Sequence, residues 1–375
     1  MTNNVLIIGA GKLGKGFIGE AFEKAKWNVT FLDKDPKVVR KLAEGSYQVD
    51  ISTTDKVYTR VVKNYQQILT SDKHSEVDSF LASNLVMIPV YPEDLKDVFK
   101  YLIIDFKKMM EEKPDKKLDI ILLTNKIYLV SKVKKFLNEN VDPDLNSWLE
   151  THIFIHDAII RRSTSADSNY ALKLNSMAVA SLLIEKPLHV DLSKVDWMEP
   201  IENVPTLKEV KIYGINGPHA ATAFFGWYKN YKTIPEAQSD HEIQEFIKCI
   251  NEEIYNVCQK EFNLTTAEYN HLTKLPTPKQ EVPDPIKRVA YDPLRKLSVN
   301  DRLCGPIRLS EKYDLDNECL IKAVALGLKY NDEDDPKSQE MQEMIKTKGA
   351  LTAIKEITGL DDSCANKILD QYEKL

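Results

Sequence analysis

Apolar positions cluster differently in the two halves of the chain. Up to about residue 200 they form short continuous runs: VLII (5–8), NVTFL (28–32), LVMIPV (85–90) and LDIILL (118–123). Runs of this length without alternation predict strands buried on both faces. Residues 93–111 carry helical spacing between the third and fourth runs. HIFIHDAII (152–160) reads as a further strand holding His152 and His156, and 170–184 as an added strand and helix. Strands alternating with helices predict an α/β unit built on a parallel sheet. Beyond the polar, proline-containing VDWMEPIENVP (195–205) the period becomes helical, at 219–230, 241–260, 315–330, 335–348 and 350–373. Gly359 and the aspartates after it predict a stop and restart in the last of these. KLPTPKQEVPDP (274–285) reads as a loop between helices. The expected division is 1–200 and 201–375.

The first run leads directly into Gly9-Ala-Gly11-Lys12-Leu13-Gly14, then a helical stretch, then NVTFL ending at Asp33. Strand, glycine turn, helix, strand and acid follow in the order of a dinucleotide-binding fingerprint. Gly9 permits the tight turn, Gly11 keeps side-chain bulk from a pyrophosphate, and Gly14 lets helix and strand pack closely. Two phosphates then meet the unpaired N–H groups at the helix start. Asp33 would accept from the adenosine ribose diol and repel a 2′-phosphate, which favours NAD over NADP; Lys34 leaves a small opening for the phosphorylated form. The fold class is thus α/β, an N-terminal Rossmann-like doubly wound sheet with a mainly α-helical C-terminal domain. Val90 closes one strand run and Asn125 follows another, where ligands of such sheets sit. Asn125 either meets the nicotinamide side or serves as a turn or cap residue.

The 43% apolar and 29% charged composition is that of a globular chain, and a net charge of -6 gives no reason to expect nucleic acid as a partner. No run of 18 apolar residues occurs, and MTNNVLIIGAGKLG lacks the basic and apolar regions of a secretion signal. A membrane partner is not expected. Cys249, Cys258, Cys304, Cys319 and Cys364 form neither a metal pattern nor a staple framework, which fits a reducing cytoplasm. No H-E-x-x-H or His/Cys cluster occurs, so no catalytic metal is expected. NDEDDP (331–336) reads as solvated surface or a helix cap.

Candidate chemistry concentrates in KIYGINGPHAATAFFG (211–226). Gly217 and Pro218 predict a turn into a helix, with Asn216 before it and His219 in its first turn. Oxidising an alcohol needs a base for its proton and donors for the developing alkoxide. A desolvated Lys211 could be that base, with Asn216 and His219 on the oxygen. The same residues also read as a surface lysine, an Asn cap and a packed histidine. In KRVAYDPLRKLSVNDRLCGPIR (287–308), Arg288, Arg295 and Arg302 either grip a substrate phosphate or pair with Asp292 and Asp301.

These motifs resemble those of the long-chain, metal-independent polyol dehydrogenases over essentially the whole chain. The likeness includes GAGKLGKGFIG (9–19), SYQV (46–49), the K-x4-N-x2-H of 211–219, the AxxAxxG run ending at Gly226, RVAYDPLRKLSVNDRL (288–303) and EDDPKSQEM (332–341). The resemblance implies NAD-dependent oxidation of a polyol phosphate, D-mannitol 1-phosphate, to D-fructose 6-phosphate. It implies catalysis by Lys211, Asn216 and His219, and it allows a monomer or weak homodimer acting on a small-molecule substrate. Relatives commonly carry Glu-Asn-Met, V-G-P and V-D-R where this chain has Thr124-Asn125-Lys126, Val90-Tyr91-Pro92 and Ile159-Ile160-Arg161. NTGH becomes Asn216-Gly217-Pro218-His219 with its spacing intact. Thr124, Tyr91 and Ile160 bear on substrate choice or rate. The expectation is an active but divergent enzyme. The alternatives are a dehydrogenase of an unphosphorylated polyol or sugar acid, and a catalytically weak NAD(H)-binding sensor.

Overall fold

The computed structural model describes residues 3–71, 73–124, 126–280 and 283–375. The chain forms two compact units, Met1–Lys208 with Leu275–Glu281, and Glu209–Lys274 with Val282–Leu375. Among the described residues no helix is long and apolar enough to cross a membrane.

The first unit is built on six parallel strands, β1 (Asn4–Ile8), β2 (Asn28–Asp33), β3 (Tyr65–Leu69), β4 (Leu85–Ile88), β5 (Leu118–Leu122) and β6 (Ile153–His156). Their order across the sheet is β3-β2-β1-β4-β5-β6, which is the doubly wound order of dinucleotide-binding domains. The uninterrupted apolar runs arise because both faces are covered. Val5, Ile7, Val29, Phe31 and Met87 pack on one side. Leu6, Ile8, Leu32, Val86 and Ile120 pack on the other, against Phe99, Leu102 and Phe106 of the helix Leu95–Glu112.

A second sheet departs from the expectation. It orders Ser163–Ser165, Lys173–Met177, Tyr47–Ser52 and Val57–Val62, so the stretch 170–184 supplies strands (Lys173–Met177 and Leu182–Glu185) and no helix. Lys173–Met177 pairs with a strand far away in the chain, which no local period could announce. His152 also differs: it closes the helix Pro143–His152 and stacks on Trp148, while His156 lies in β6 and bonds to the buried Asp119 on β5 at 2.9 Å.

The second unit is helical. Gly217–Tyr228 is almost wholly buried, and packs against Glu318–Lys329, Ile286–Ala290, His241–Phe262 and Ile234–Gln238. Gly359 ends Ala350–Thr358 in left-handed backbone, and Asp361 caps Asp362–Lys374 through the Cys364 N–H, as the sequence pattern predicts. The cysteines correct the expectation of free thiols throughout: Cys249 and Cys319 form a disulfide. Cys258, Cys304 and Cys364 are free and buried.

Candidate functional site

Gly9 follows β1 with φ of 108°, a conformation that L side chains rarely adopt, and its N–H donates to Leu32 O at 2.8 Å. A Cβ on Gly14 would stand 2.1 Å from Gly9 O, so only glycine lets the helix start against the turn. At Gly11 the nearest atom to such a Cβ is Asn169 Oδ1 at 3.9 Å. The turn therefore leaves open space there, the space a pyrophosphate needs. Lys12 and Leu13 are half-buried at the helix entry. Asp33 ends β2; its Oδ2 accepts from Ala10 N at 2.7 Å and its Oδ1 from Asp35 N at 2.9 Å. Two backbone donors hold the carboxylate in place with lone pairs to spare for a diol. Val90 Cγ1 comes closest to the Gly9 position, and the Tyr91 ring is 64% exposed. Asn125 lies outside the described residues. Thr124, where relatives have an acid, is buried with no hydrogen-bond partner for its hydroxyl. Ile160 packs on the core, and Arg161 reaches Ser181 O and Glu199. Lys34 pairs with Asp94 at 2.6 Å.

Sequence reasoning missed Lys15. Its buried ammonium donates to Ala10 O at 2.6 Å and Asn169 O at 2.5 Å, tying the glycine turn to a distant loop. Burial pushes it down to about 8, against the raising effect of Asp33. Arg162 is missed as well. It is fully enclosed, bonded to Ser176 and Glu20 and stacked over Phe17. Basic residues inside an apolar helix or strand signal such roles only once their partners are known.

In the second unit the expected turn at Gly217-Pro218 does not occur. Val204–Lys211, a π-helical segment Ile212–Asn216 and Gly217–Tyr228 run on as one helix. Pro218 needs no N–H partner near the start of the last stretch, and the Gly217 N–H reaches back to Ile212 O, the five-residue step of a π-helix. In an α-helix residues five apart point about 140° away from each other. A five-residue hydrogen-bond step lowers the twist per residue, so relative to an α-helix the insertion turns Asn216 back toward the Lys211 side. Short π segments of this kind recur at functional sites.

Lys211 is buried; Asn216 and His219 are half-buried. His219 Nε2 lies 3.8 Å from Asp284 Oδ2. Burial holds this imidazole below its ordinary value, with Asp284 opposing and Arg288, Arg302 and Lys296 adding to the depression. Two of the three predicted arginines, Arg288 and Arg302, therefore share an electrostatic neighbourhood with His219, but each of the three already has a carboxylate. Arg288 pairs with Asp284, Arg295 with Asp292 at 2.8 Å, and Arg302 with Asp301 at 2.7 Å. Lys296, a member of the same basic stretch, is buried beside them. Its ammonium is pushed down to about 7 by burial and then by Arg302 and Arg295.

Two family models match in order along the chain. The mannitol dehydrogenase Rossmann domain takes residues 3–188 and the mannitol dehydrogenase C-terminal domain residues 203–375. The chain belongs to the mannitol dehydrogenase family, oxidoreductases that act on polyol or sugar substrates with a nicotinamide cofactor. Among similar proteins, the mannitol-1-phosphate 5-dehydrogenase of Clostridium acetobutylicum is 28% identical across 99% of this chain and 98% of its own. That of Thermoanaerobacter pseudethanolicus is 27% identical across 98% and 96%. Of solved structures, a D-sorbitol dehydrogenase aligns with TM-score 0.77 at 16% identity, over all of this chain and 93% of that one. Pseudomonas fluorescens mannitol 2-dehydrogenase, in a ternary complex with NAD and D-mannitol, aligns with TM-score 0.74 at 15% identity over 100% and 91%. These two establish the likeness of fold.

Proposed function

We propose that this protein is an NAD-dependent polyol-phosphate dehydrogenase interconverting D-mannitol 1-phosphate and D-fructose 6-phosphate. The observation that carries the proposal is the π-helical insertion, which turns Asn216 back toward the Lys211 side with His219 one turn further on. The relatives' names supply the substrate pair.

The open turn at Gly11 and the fixed carboxylate of Asp33 fit NAD, and the Lys34–Asp94 pair takes up the cation that a 2′-phosphate would need. When bound, the nicotinamide ring supplies the hydride acceptor. Lys211 takes the proton of the substrate hydroxyl through Nζ. Asn216 donates an amide N–H to the oxygen as charge develops on it. His219, kept neutral at pH 7 by its surroundings, donates from one ring nitrogen. In the reverse direction Lys211 returns the proton to the new alcohol. Arg288, Arg295 or Arg302 holds the distal phosphate by exchanging its aspartate for phosphate oxygens.

The same aspartate pairs favour a second reading, in which the substrate has no phosphate and the arginines only brace the helices.

The test is NADH consumption with D-fructose 6-phosphate and with D-fructose. Turnover of the phosphorylated sugar alone supports the first reading, and turnover of fructose alone the second. Silence with both, despite NADH binding, identifies a cofactor-binding protein without this catalysis. In an active protein, Lys211→Ala is expected to lower kcat by about 10²–10⁴-fold while NADH affinity stays within about twofold. Near-native turnover across pH would remove Lys211 from the mechanism.

A further inference from the structure

The first unit contains a second chemical cluster, apart from the glycine turn. His74 and Glu76 lie between β3 and the helix Val77–Ala82, and Asp105 projects from Leu95–Glu112. His74 Nδ1 is 3.0 Å from Glu76 Oε1 and 3.4 Å from Asp105 Oδ1. The three ligand atoms all lie within 4.8 Å of one another. Glu76 and Asp105 are fully buried, and His74 is nearly so.

Asp105 is the anomaly. Neither carboxyl oxygen has a hydrogen-bond partner, although both are sealed from solvent and aimed at Glu76 and His74. An enclosed carboxylate with no donor is strongly disfavoured, and a second one beside it adds repulsion. Glu76, in contrast, is oriented: the Tyr101 hydroxyl donates to its Oε2 at 2.7 Å, and the Tyr101 ring stacks on His74 with centroids 4.3 Å apart. Ligands steered by outer hydrogen bonds and stacking, facing an unsatisfied anion, are how protein metal sites are built.

We propose that His74 Nδ1, Glu76 Oε1 and Asp105 Oδ1 bind a first-row divalent cation of the zinc class. Ligand bonds of about 2.0–2.1 Å in a tetrahedral site put neighbouring ligand atoms about 3.3–3.4 Å apart, close to the two separations from His74. One imidazole with two carboxylates suits Zn2+, Co2+ or Mn2+ better than Mg2+ or Ca2+, which take oxygen ligands. The cation discharges both acids and ties the His74–Glu76 segment to Leu95–Glu112. Thr70, four positions before His74, bonds through its N–H to Asp33 O at 3.0 Å. The site thus braces the chain beside the acid at the end of β2, as a structural metal distinct from the alcohol chemistry.

The experiment uses the full chain, stripped with a chelator and titrated with ZnCl2 at pH 7. The expected result is one equivalent retained through gel filtration and a Tm raised by at least about 3 °C, with MgCl2 giving neither. His74→Ala and Asp105→Asn should each lose that equivalent. Asp105→Asn should also be no less stable than the stripped wild type, since it removes the unmet charge. Should Asp105→Asn fail to fold, His74→Ala, altered nearer the surface, decides alone. Failure of the wild type to retain zinc overturns the proposal in favour of a proton-sharing pair. Retention undiminished in the variants overturns it in favour of binding elsewhere.

Discussion

At the scale of single residues, charge buried near the candidate machinery governs how the protein responds to pH. Lys296 is enclosed and held at about 7, far below the ordinary 10.5 of a lysine. Between those values the unfolded chain carries a proton that the folded chain does not, so this residue's contribution to stability rises with pH across the window. Below about pH 7 its penalty is present in full. Lys296→Met should therefore be more stable than wild type at pH 6, with the difference shrinking toward pH 10; urea melts at several pH values check this. A difference independent of pH would mean that Lys296 is solvated and ordinary. Asp33 and Lys296 also mark what a sequence gives away at this scale. Asp33 was legible because its partners, the glycine turn and β1, lie within a few dozen residues and in a fixed order. Lys296, Lys15 and Asp105 were not, because their significance comes from burial and from neighbours brought in by the fold, such as Asn169 beside Lys15.

Secondary-structure elements divide along the same line. The central strands were readable because double-sided burial leaves continuous apolar runs, and the long helices because one covered face imposes a period of 3.6. Tyr47–Ser52 alternates in burial as a strand should, with Tyr47, Val49 and Ile51 inside, but its partner Lys173–Met177 is remote. The helix through Lys211 and His219 was misread as broken because glycine and proline usually punctuate. Its π segment is a matter of hydrogen-bond register, which residue types do not encode plainly. Register can be tested by itself. Inserting one alanine after Ile215 should rotate everything downstream by about 100° relative to Lys211. The outcome expected is near-native helical content by circular dichroism with activity reduced at least about 100-fold. Retained activity would mean that the relative direction of Lys211 and Asn216 does not matter.

For the molecule as a whole, the division into units does not follow the order of synthesis. After Glu209–Lys274 has contributed to the second unit, the chain returns to the first with Leu275–Glu281. There Lys279 N donates to Thr53 O at 2.7 Å and Gln280 N to Ser52 Oγ at 2.9 Å, at the end of the strand Tyr47–Ser52. A fragment ending at residue 208 should therefore exchange its amide hydrogens around 47–53 faster than the full chain does, while the β1 amides remain protected. Equal protection would show that the returning segment is dispensable. The same thread sets a timetable at the ribosome. At about 5–20 residues per second, several seconds separate the emergence of residue 208 from that of residue 280. Throughout that interval the nascent first unit has its central sheet but lacks its last piece. A stall, a nick or a premature stop before residue 275 would release it unfinished, with the end of one strand open to whatever chaperone or neighbouring chain reaches it first.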